Sequence, residues 1–362
     1  ADMAMHISGM DQVGRCATTS TTSTSTATST SSTLLFQIAE KEAYPFIRYF
    51  NLMRMPIRAF RILNKNSPAP MQDRSFLRTA TATALFAGPT RSLLALEEND
   101  KVRRQIGIQL YTLRNQIRKD PLGTIKAVKE AGYAQGEMYG FPNCDPMIKA
   151  AKAVGLQLHS SHFEWESVVN PADKEFTDFR KTLEKAAKVG LSHLVIPYLH
   201  GKDRETLDSY KRTAENCNKA ASLAKKQGVQ LAYHNHAFEF EPKKGGASGF
   251  DVFLKEFSPE MQFELDVFWV KVGNVDPVAM INKLKGRVSQ LHLKDLKKGT
   301  QVPSFGGLPK EAFKELGKGM IDMEPIIVAA HEAGVTHCHV EQDHSPAPLK
   351  SIVESMVYLK SL

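Results

Sequence analysis

The sequence predicts an α/β protein with a (β/α)₈ TIM barrel over residues 104–362, preceded by a largely disordered N-terminal extension. Two observations support the barrel. From Gln105 onwards, short β-rich runs alternate with amphipathic helical stretches, and eight strand–helix units fit into this region. The turn after the first predicted strand is LYTLRNQ, which lacks the GxGxxG pattern that a doubly wound sheet typically places there. A closed barrel is therefore the predicted architecture.

The eight predicted strands follow one another along this region. They are IGIQLY (106–111), YAQGEMY (133–139), LQLHSS (156–161), HLVIPY (193–198), QLAYHNH (230–236), QFELD (262–266), VSQLHLK (288–294) and HCHVE (337–341). Asp120-Pro121 and Asp276-Pro277 each combine an N-cap with a proline at the first helical position. Glycine follows the helices before five of the strands, where a left-handed C-cap is expected: Gly132, Gly155, Gly190, Gly228 and Gly334.

The N-terminal part divides into a low-complexity, disordered extension (1–70) and a signal-like leader with a linker (71–103). Residues 17–33 are a Ser/Thr tract without large apolar side chains, so burial cannot offset the entropy that ordering would cost. From Met71 a basic start, a short apolar stretch and a polar exit resemble an export signal of the twin-arginine type. Asp73 replaces its first arginine and Arg91 interrupts its apolar part. Two alternatives stay open: a periplasmic protein, or a cytoplasmic one with an unstructured extension.

Charge and cysteine content exclude several classes of function. The net charge of +8 is concentrated in residues 1–104, with 13 Lys+Arg against 8 Asp+Glu, which leaves 34 against 31 in the remainder. The barrel region therefore has no electrostatic case for binding nucleic acid. No apolar run reaches the roughly 20 residues of a membrane span. The four cysteines, Cys16, Cys144, Cys217 and Cys338, form no CxxC pair and indicate neither a zinc ribbon nor a disulfide framework.

Acidic and imidazole side chains collect at the C-terminal ends of the predicted strands, where the active site of such a barrel lies. Carboxylates and imidazoles are costly to bury unless they are paired or bind a metal. A mixed nitrogen and oxygen ligand set suits one divalent ion, Mn²⁺, Co²⁺, Mg²⁺, Fe²⁺ or Zn²⁺. The residues at these ends are Tyr111, Glu137, His159, His162, His234, Asn235, His236, Glu239, Asp266, His292, Lys294, Asp295 and Glu341.

Residues 104–362 contain the segments LAYHNHAFEF, ELDVFW, QLHLKD and HVEQD in that order, together with GKGMIDMEPI (317–326). In these segments the chain resembles the sugar phosphate isomerase/epimerase family of xylose isomerase-like barrels. The resemblance implies that Asp266, His292 and Glu341 are metal ligands. The fourth ligand of the family, a glutamate on strand five, corresponds to His234. Since this substitution removes a carboxylate that relatives use in proton transfer, His236 and Glu239 remain alternatives, either as the ligand or as its acid/base replacement.

The remaining site residues receive roles from their positions. Lys294, two residues after His292, faces the same side of its strand and is expected to contact substrate or a developing oxyanion. With His236, Glu239 and Glu341 it forms the predicted catalytic set. Glu137, His162 and Trp269 are predicted to bind substrate. For Asp266 the alternative is a helix N-cap, and four other histidines are expected to be structural: His159, His200, His337 and His339.

The resemblance implies a metal-dependent isomerase or epimerase that acts on a small carbohydrate through an enediolate next to a carbonyl. Elimination from the same intermediate would make the protein a lyase or dehydratase on a keto-sugar, and a catalytically inactive sugar-binding barrel is a third alternative. An abasic-site endonuclease shares the barrel type but needs three zinc ions and more ligands, and the near-neutral barrel argues against DNA. The sequence leaves open which sugar is bound and whether the protein forms a homo-oligomer.

Overall fold

The structure, a computed structural model, describes residues 105–362. Eight parallel strands close into a barrel, which confirms the predicted fold. The predictions made for residues 1–70 and 71–103, including the export signal, lie outside the described residues. Among the described residues, no helix combines the length and apolar character needed to cross a membrane.

The barrel strands lie close to their predicted positions. In chain order they are β1 (Gly107–Gln109), β2 (Gln135–Phe141), β3 (Gln157–Phe163), β4 (His193–Ile196), β5 (Gln230–His234), β6 (Met261–Asp266), β7 (Val288–Leu293) and β10 (His337–Val340). Around the barrel they are arranged β1-β10-β7-β6-β5-β4-β3-β2.

Helices connect the strands and cover the barrel. They are α1 (Arg114–Lys119), α2 (Pro121–Ala131), α3 (Asp145–Val154), α4 (Glu166–Val169), α5 (Thr177–Val189), α6 (Leu207–Lys226), α7 (Gly249–Glu256), α8 (Val267–Val272), α9 (Pro277–Lys283), α10 (Met323–Glu332) and α11 (Pro348–Ser361). Short 3₁₀ turns occupy Leu110–Leu113, Gly201–Asp203, Phe238–Phe240 and Lys310–Ala312.

The predicted helix boundaries are confirmed by their capping contacts. Asp120 accepts from the Gly123 N–H at 2.9 Å and caps α2, and Asp276 accepts from the Ala279 N–H at 2.7 Å and caps α9. Gly132 ends α2 with φ of 100°, a backbone conformation that a side chain would strain.

Strands one, four and five each end two residues earlier than predicted. The first ends at Gln109, because its side chain accepts from the Tyr111 N–H at 3.0 Å and turns the chain into a 3₁₀ helix. The fifth ends at His234, so His236 lies in the loop that follows.

Two short strands that the sequence analysis did not predict, β8 (Asp295–Leu296) and β9 (Phe313–Lys314), pair antiparallel after β7. Asp295 accepts from the backbone N–H groups of Gly319 at 2.7 Å and Ile321 at 3.0 Å. This carboxylate therefore holds together the long loop between β7 and α10.

Side chains alternate between the barrel interior and the helix layer, and the interior is unusually polar. On β6, Phe263 and Leu265 belong to the apolar core outside the barrel, whereas Glu264 and Asp266 belong to the polar set inside it. The interior of such barrels is ordinarily filled by branched apolar side chains. A polar interior of this kind must satisfy its buried groups by mutual contacts or by binding an ion.

Candidate active site

The four predicted metal ligands meet at the C-terminal end of the barrel. Asp266 pairs in register with His292 on the neighbouring strand. Nδ1 of His292 lies 3.9 Å from Oδ2 of Asp266 and 2.8 Å from Oε2 of Glu341. Nε2 of His234 lies 3.7 Å from the same Asp266 oxygen. We call these four residues the upper group.

Within the upper group, Oδ2 of Asp266, Nδ1 of His292 and Oε2 of Glu341 are buried and face one another and Lys294 Nζ. Carboxylates and imidazoles are costly to bury unless they are paired in this way or bind a metal. Potential ligand atoms of these three residues all lie within 4.8 Å of one another. The buried cluster can therefore hold a metal ion, and its donors, two carboxylates and one or two imidazoles, suit a divalent one.

Lys294 adds a positive charge to the upper group. Its Nζ lies 3.0 Å from Oδ2 of Asp266, 2.6 Å from Oε2 of Glu341 and 3.0 Å from Oδ2 of Asp343. Burial alone would lower the pKa of Lys294, but these three carboxylates raise it well above its ordinary value. Lys294 is therefore an ammonium ion at neutral pH and acts as a donor rather than a base.

Beneath the upper group lies an inner layer formed by Glu137, Glu264 and Gln290. Nε2 of His292 contacts Glu137 Oε1 at 2.7 Å and Glu264 Oε1 at 3.2 Å. Nδ1 of His234 lies 3.2 Å from Glu264 Oε2. The Gln290 amide donates to both carboxylates. His234 and His292 thus each direct one nitrogen at the carboxylates of the upper group and the other nitrogen at the inner layer.

The surroundings shift the pKa values of the two inner carboxylates in opposite directions. Burial raises the pKa of Glu137, and the nearby charge of Glu264 raises it further. Burial would also raise the pKa of Glu264, but the charges of His292 and His162 lower it well below its usual range. The second carboxylate is therefore ionised, while the first is more readily protonated, as expected for two acids that share a site.

In the upper group, burial raises the pKa of Asp266 to about 6, against the opposing charges of Lys294 and His292. For Glu341, burial acts in the same direction, but Lys294 and His292 lower the pKa well below its usual range. Burial lowers the pKa of His234 to about 3. Burial would lower the pKa of His292, but the surrounding carboxylates raise it well above its ordinary value, so this ring must lose a proton before it can bind a metal.

The strand-five loop places His236 and Glu239 differently. The His236 ring stacks on Phe238 at 5.2 Å between centroids and lies 5.1 Å from the Trp269 ring. Burial, followed by the charge of His234, holds the pKa of His236 well below its usual range, so the ring is neutral. Its Nδ1 has no hydrogen-bond partner among the described residues.

Glu239 is fully buried behind this loop. Its two oxygens accept from the Tyr233 hydroxyl at 2.5 Å and from the His236 backbone N–H at 2.8 Å. Burial raises the pKa of Glu239 to about 8, against the lowering effect of its hydrogen bond with Tyr233. The structure does not bring Glu239 into the upper group. It fixes the backbone of the loop that carries His236, a different placement from the direct acid/base contact that the sequence predicted.

The three predicted substrate residues are also separated by the structure. His162 lies beside the ligands, stacked on His292 at 5.4 Å, and its Nε2 contacts Glu264 Oε2 at 2.8 Å. Trp269 has its ring centroid 5.7 Å from Lys294 Nζ. Glu137 is 0% exposed, and its oxygens accept from Gln109, Ser160, Gln290 and His292, so no oxygen is left for a substrate.

The sequence analysis missed Glu264, Gln290 and the inner position of His339. Each precedes a predicted ligand by two residues on the same strand: Asp266, His292 and Glu341. The period of two in strand side chains was the available signal, since it places all six inside the barrel.

At the opposite, N-terminal end of the barrel, four imidazoles lie together. His159 stacks on His337 at 3.9 Å and on His339 at 5.0 Å, and lies 5.7 Å from His193. Burial lowers the pKa of His159 to about 3 and that of His193 to about 4. These neutral, packed rings support the predicted structural role of His159, His337 and His339.

Comparison with known proteins identifies relatives for the barrel. Residues 125–362, more than half of the chain, match the family described as xylose isomerase-like TIM barrel. An inosose dehydratase of Clostridium beijerinckii is 25% identical over 237 residues, which span 59% of this chain and 78% of that protein. An inosose dehydratase of Mesomycoplasma hyopneumoniae is 25% identical over 266 residues, which span 66% and 87%.

Solved structures resemble the same region. A sugar phosphate isomerase/epimerase from Parabacteroides distasonis is 26% identical with a TM-score of 0.59, over 72% of this chain and 98% of that one. An IolI protein with a bound zinc atom is 15% identical with a TM-score of 0.52, over 71% and 95%, a likeness that concerns the fold alone.

Proposed function

This chain belongs to the xylose isomerase-like TIM barrel family, and we propose that it is a metal-dependent enzyme that removes a proton next to the carbonyl group of a small keto-sugar. The observation that carries the proposal is the upper group, whose buried carboxylate and imidazole atoms converge within 4.8 Å of one another at the catalytic end of the barrel. His234, Asp266, His292 and Glu341 would hold one divalent ion, Mn²⁺, Co²⁺, Mg²⁺, Fe²⁺ or Zn²⁺. Such an ion acts as a Lewis acid that stabilises negative charge on oxygen.

The protein groups around the ion supply the proton transfer. His236 is the proposed base, because its ring lies beside Trp269 at this end of the barrel and one of its nitrogens has no hydrogen-bond partner among the described residues. The C–H bond next to the carbonyl breaks, its proton goes to the imidazole, and its electron pair moves onto the carbonyl oxygen. Lys294, held as an ammonium ion by Asp266, Asp343 and Glu341, donates to that oxygen. Trp269 and His162 line the same end and are proposed to contact the sugar.

Two outcomes can follow from the resulting enolate. In a dehydration, the electron pair of the enolate forms a carbon–carbon double bond to the next carbon, whose hydroxyl takes the proton from the His236 imidazolium and leaves as water. Return of a proton to the other face or to the neighbouring carbon is an epimerisation or isomerisation. The names of the curated relatives support dehydration, and the Parabacteroides distasonis structure supports isomerisation or epimerisation. Both begin with the same proton removal, so we propose this shared step as the activity.

The test is proton exchange in D₂O. The metal-loaded protein is incubated with a panel of inososes, ketohexoses and keto-glycosides and followed by NMR. We expect deuterium at the carbon next to the carbonyl of one member, with an unsaturated product if water is lost and a labelled epimer or isomer if it is not. His236→Gln should slow exchange by a factor of about 100 or more, as is typical for a general base. A protein shown to hold metal that exchanges no proton in any carbonyl sugar would contradict the proposal and favour a binding module.

A further inference from the structure

We propose that Glu137 and Glu264 are positioning residues that select the ring tautomers of His292 and His234, so that each ring presents one unprotonated nitrogen to the upper group. The proposal rests on the proposed function, because it assumes that the upper group binds the ion. It gives a role to Glu264, which the sequence analysis did not single out, and a different role to Glu137.

His292 is the clearer of the two rings. Its Nε2 shares a 2.7 Å hydrogen bond with Glu137 Oε1. Its Nδ1 lies 2.8 Å from Glu341 Oε2 and 3.9 Å from Asp266 Oδ2. With an ion bound, the ring would be a neutral imidazole, which carries one N–H that a carboxylate accepts. With the proton on Nε2, the lone pair of Nδ1 faces the two upper carboxylates, where a cation would be shared.

His234 has the opposite orientation. Its Nδ1 lies 3.2 Å from Glu264 Oε2, a close contact that lacks hydrogen-bond alignment in this ring position. Its Nε2 lies 3.7 Å from Asp266 Oδ2. A proton on Nδ1, directed at Glu264, leaves Nε2 free for the cation. The two rings are therefore expected to bind through different nitrogens, His234 through Nε2 and His292 through Nδ1.

The two carboxylates are rigidly held, as positioning residues must be. Glu137 accepts from Gln109 at 2.8 Å, from Gln290 at 2.7 Å and from the Ser160 hydroxyl. Glu264 accepts from the Gln290 amide and contacts His162 Nε2 at 2.8 Å. Both are 0% exposed. Metal-binding histidines commonly direct their second nitrogen at a carboxylate fixed in this way, and loss of that partner typically weakens metal binding by 10- to 100-fold.

The same atoms also permit a different arrangement. Potential ligand atoms of His162, His234, Glu264 and His292 lie within 4.8 Å of one another, so an ion between them would make Glu264 a direct ligand. We favour the upper position, because both oxygens of Glu264 already face Gln290 and His162, whereas the upper oxygens of Asp266 and Glu341 already share a cation, the Lys294 ammonium.

The experiment measures metal binding and tautomers directly. Zn²⁺ is titrated into metal-free wild type, Glu137→Gln, Glu264→Gln and, as the matched control, Glu260→Gln, in competition with a chelating indicator. Glu260 lies on the turn before β6 and pairs with Lys225 at 3.3 Å, so the control removes one carboxylate charge away from the imidazoles. We expect one ion per chain in all four proteins, with affinity reduced 10- to 100-fold in the two inner variants and unchanged in the control.

Tautomers are read in the Zn²⁺-loaded wild type by NMR of ¹⁵N-labelled histidine rings. We expect an N–H on Nδ1 of His234 and on Nε2 of His292. This measurement keeps the proposal testable even if an inner variant does not fold.

Three results would overturn it. Wild-type affinity in both inner variants would show that the carboxylates do not act on the ligands. The reverse tautomers in the wild type would contradict the assignment of nitrogens. If Glu264→Gln loses the bound ion while Asp266→Asn keeps it, Glu264 is itself a ligand. Absence of any Zn²⁺ binding in the wild type would instead refute the proposed function, which separates the two failures.

Discussion

The two oxygens of Asp266 make different contacts, and substitutions can separate the observed capping contact from the proposed binding of metal. Oδ1 accepts from the backbone N–H groups of Phe268 at 2.9 Å and Trp269 at 3.0 Å and so caps α8. Oδ2 faces the upper group, 3.0 Å from Lys294 Nζ. Asparagine caps a helix about as well as aspartate but is a weaker, uncharged ligand, whereas alanine does neither.

The expected stabilities follow from these contacts. In the metal-free protein, Asp266→Asn should change the free energy of unfolding little, because Lys294 keeps its contacts with Glu341 and Asp343. Asp266→Ala should be about 1 kcal/mol less stable than Asp266→Asn, which is the usual value of a lost cap. At a metal concentration 100 times its dissociation constant, the wild type should gain about 2.7 kcal/mol, and both variants should gain almost nothing at the same concentration.

Urea unfolding of the three proteins, with chelator and with Zn²⁺, measures these differences. If the metal raises the free energy of unfolding of Asp266→Asn as much as that of the wild type, Asp266 is not a ligand. The argument that the upper group binds the metal would then fail. Equal stability of the two metal-free variants would refute the capping argument alone.

Two further predictions concern other charged and imidazole groups. Lys294→Met should bind Zn²⁺ at least as tightly as the wild type, because it removes a cation from between Asp266 and Glu341, yet lose turnover; weaker Zn²⁺ binding in this variant would contradict that view of the lysine. The pKa values of His159 and His193, lowered by burial to about 3 and about 4, predict acid sensitivity. In the unfolded chain these histidines bind protons below a pKa of about 6.5, whereas the buried rings of the folded protein stay neutral. The free energy of unfolding therefore falls as the pH drops from about 6.5 towards 4, by at most about 2 kcal/mol per ring at pH 5. His159→Gln/His193→Gln should flatten the dependence of unfolding free energy on pH, measured by urea unfolding with chelator, and parallel curves for wild type and variant would show that these rings do not cause it.

The sequence by itself determined the barrel and much of the candidate site. Alternating strand and helix patterns, with caps such as Asp120 and Asp276, depend on local preferences that are legible in the chain. The predicted ligands Asp266, His292 and Glu341 follow or end strands that are neighbours around the barrel, so their proximity followed from the fold class and the family resemblance.

Only the tertiary structure decided which direction the other polar groups face. Glu137 and His292 are 155 positions apart, and closure of the barrel brings Glu137 Oε1 and His292 Nε2 within 2.7 Å. Glu239 lies in a short turn whose curvature directs its carboxyl at Tyr233 and the backbone, away from the ligands. Strand alternation follows a fixed period and can be anticipated, but turns have no such period. Contacts across the barrel depend on closure and register, and no local pattern in the sequence encodes these distances.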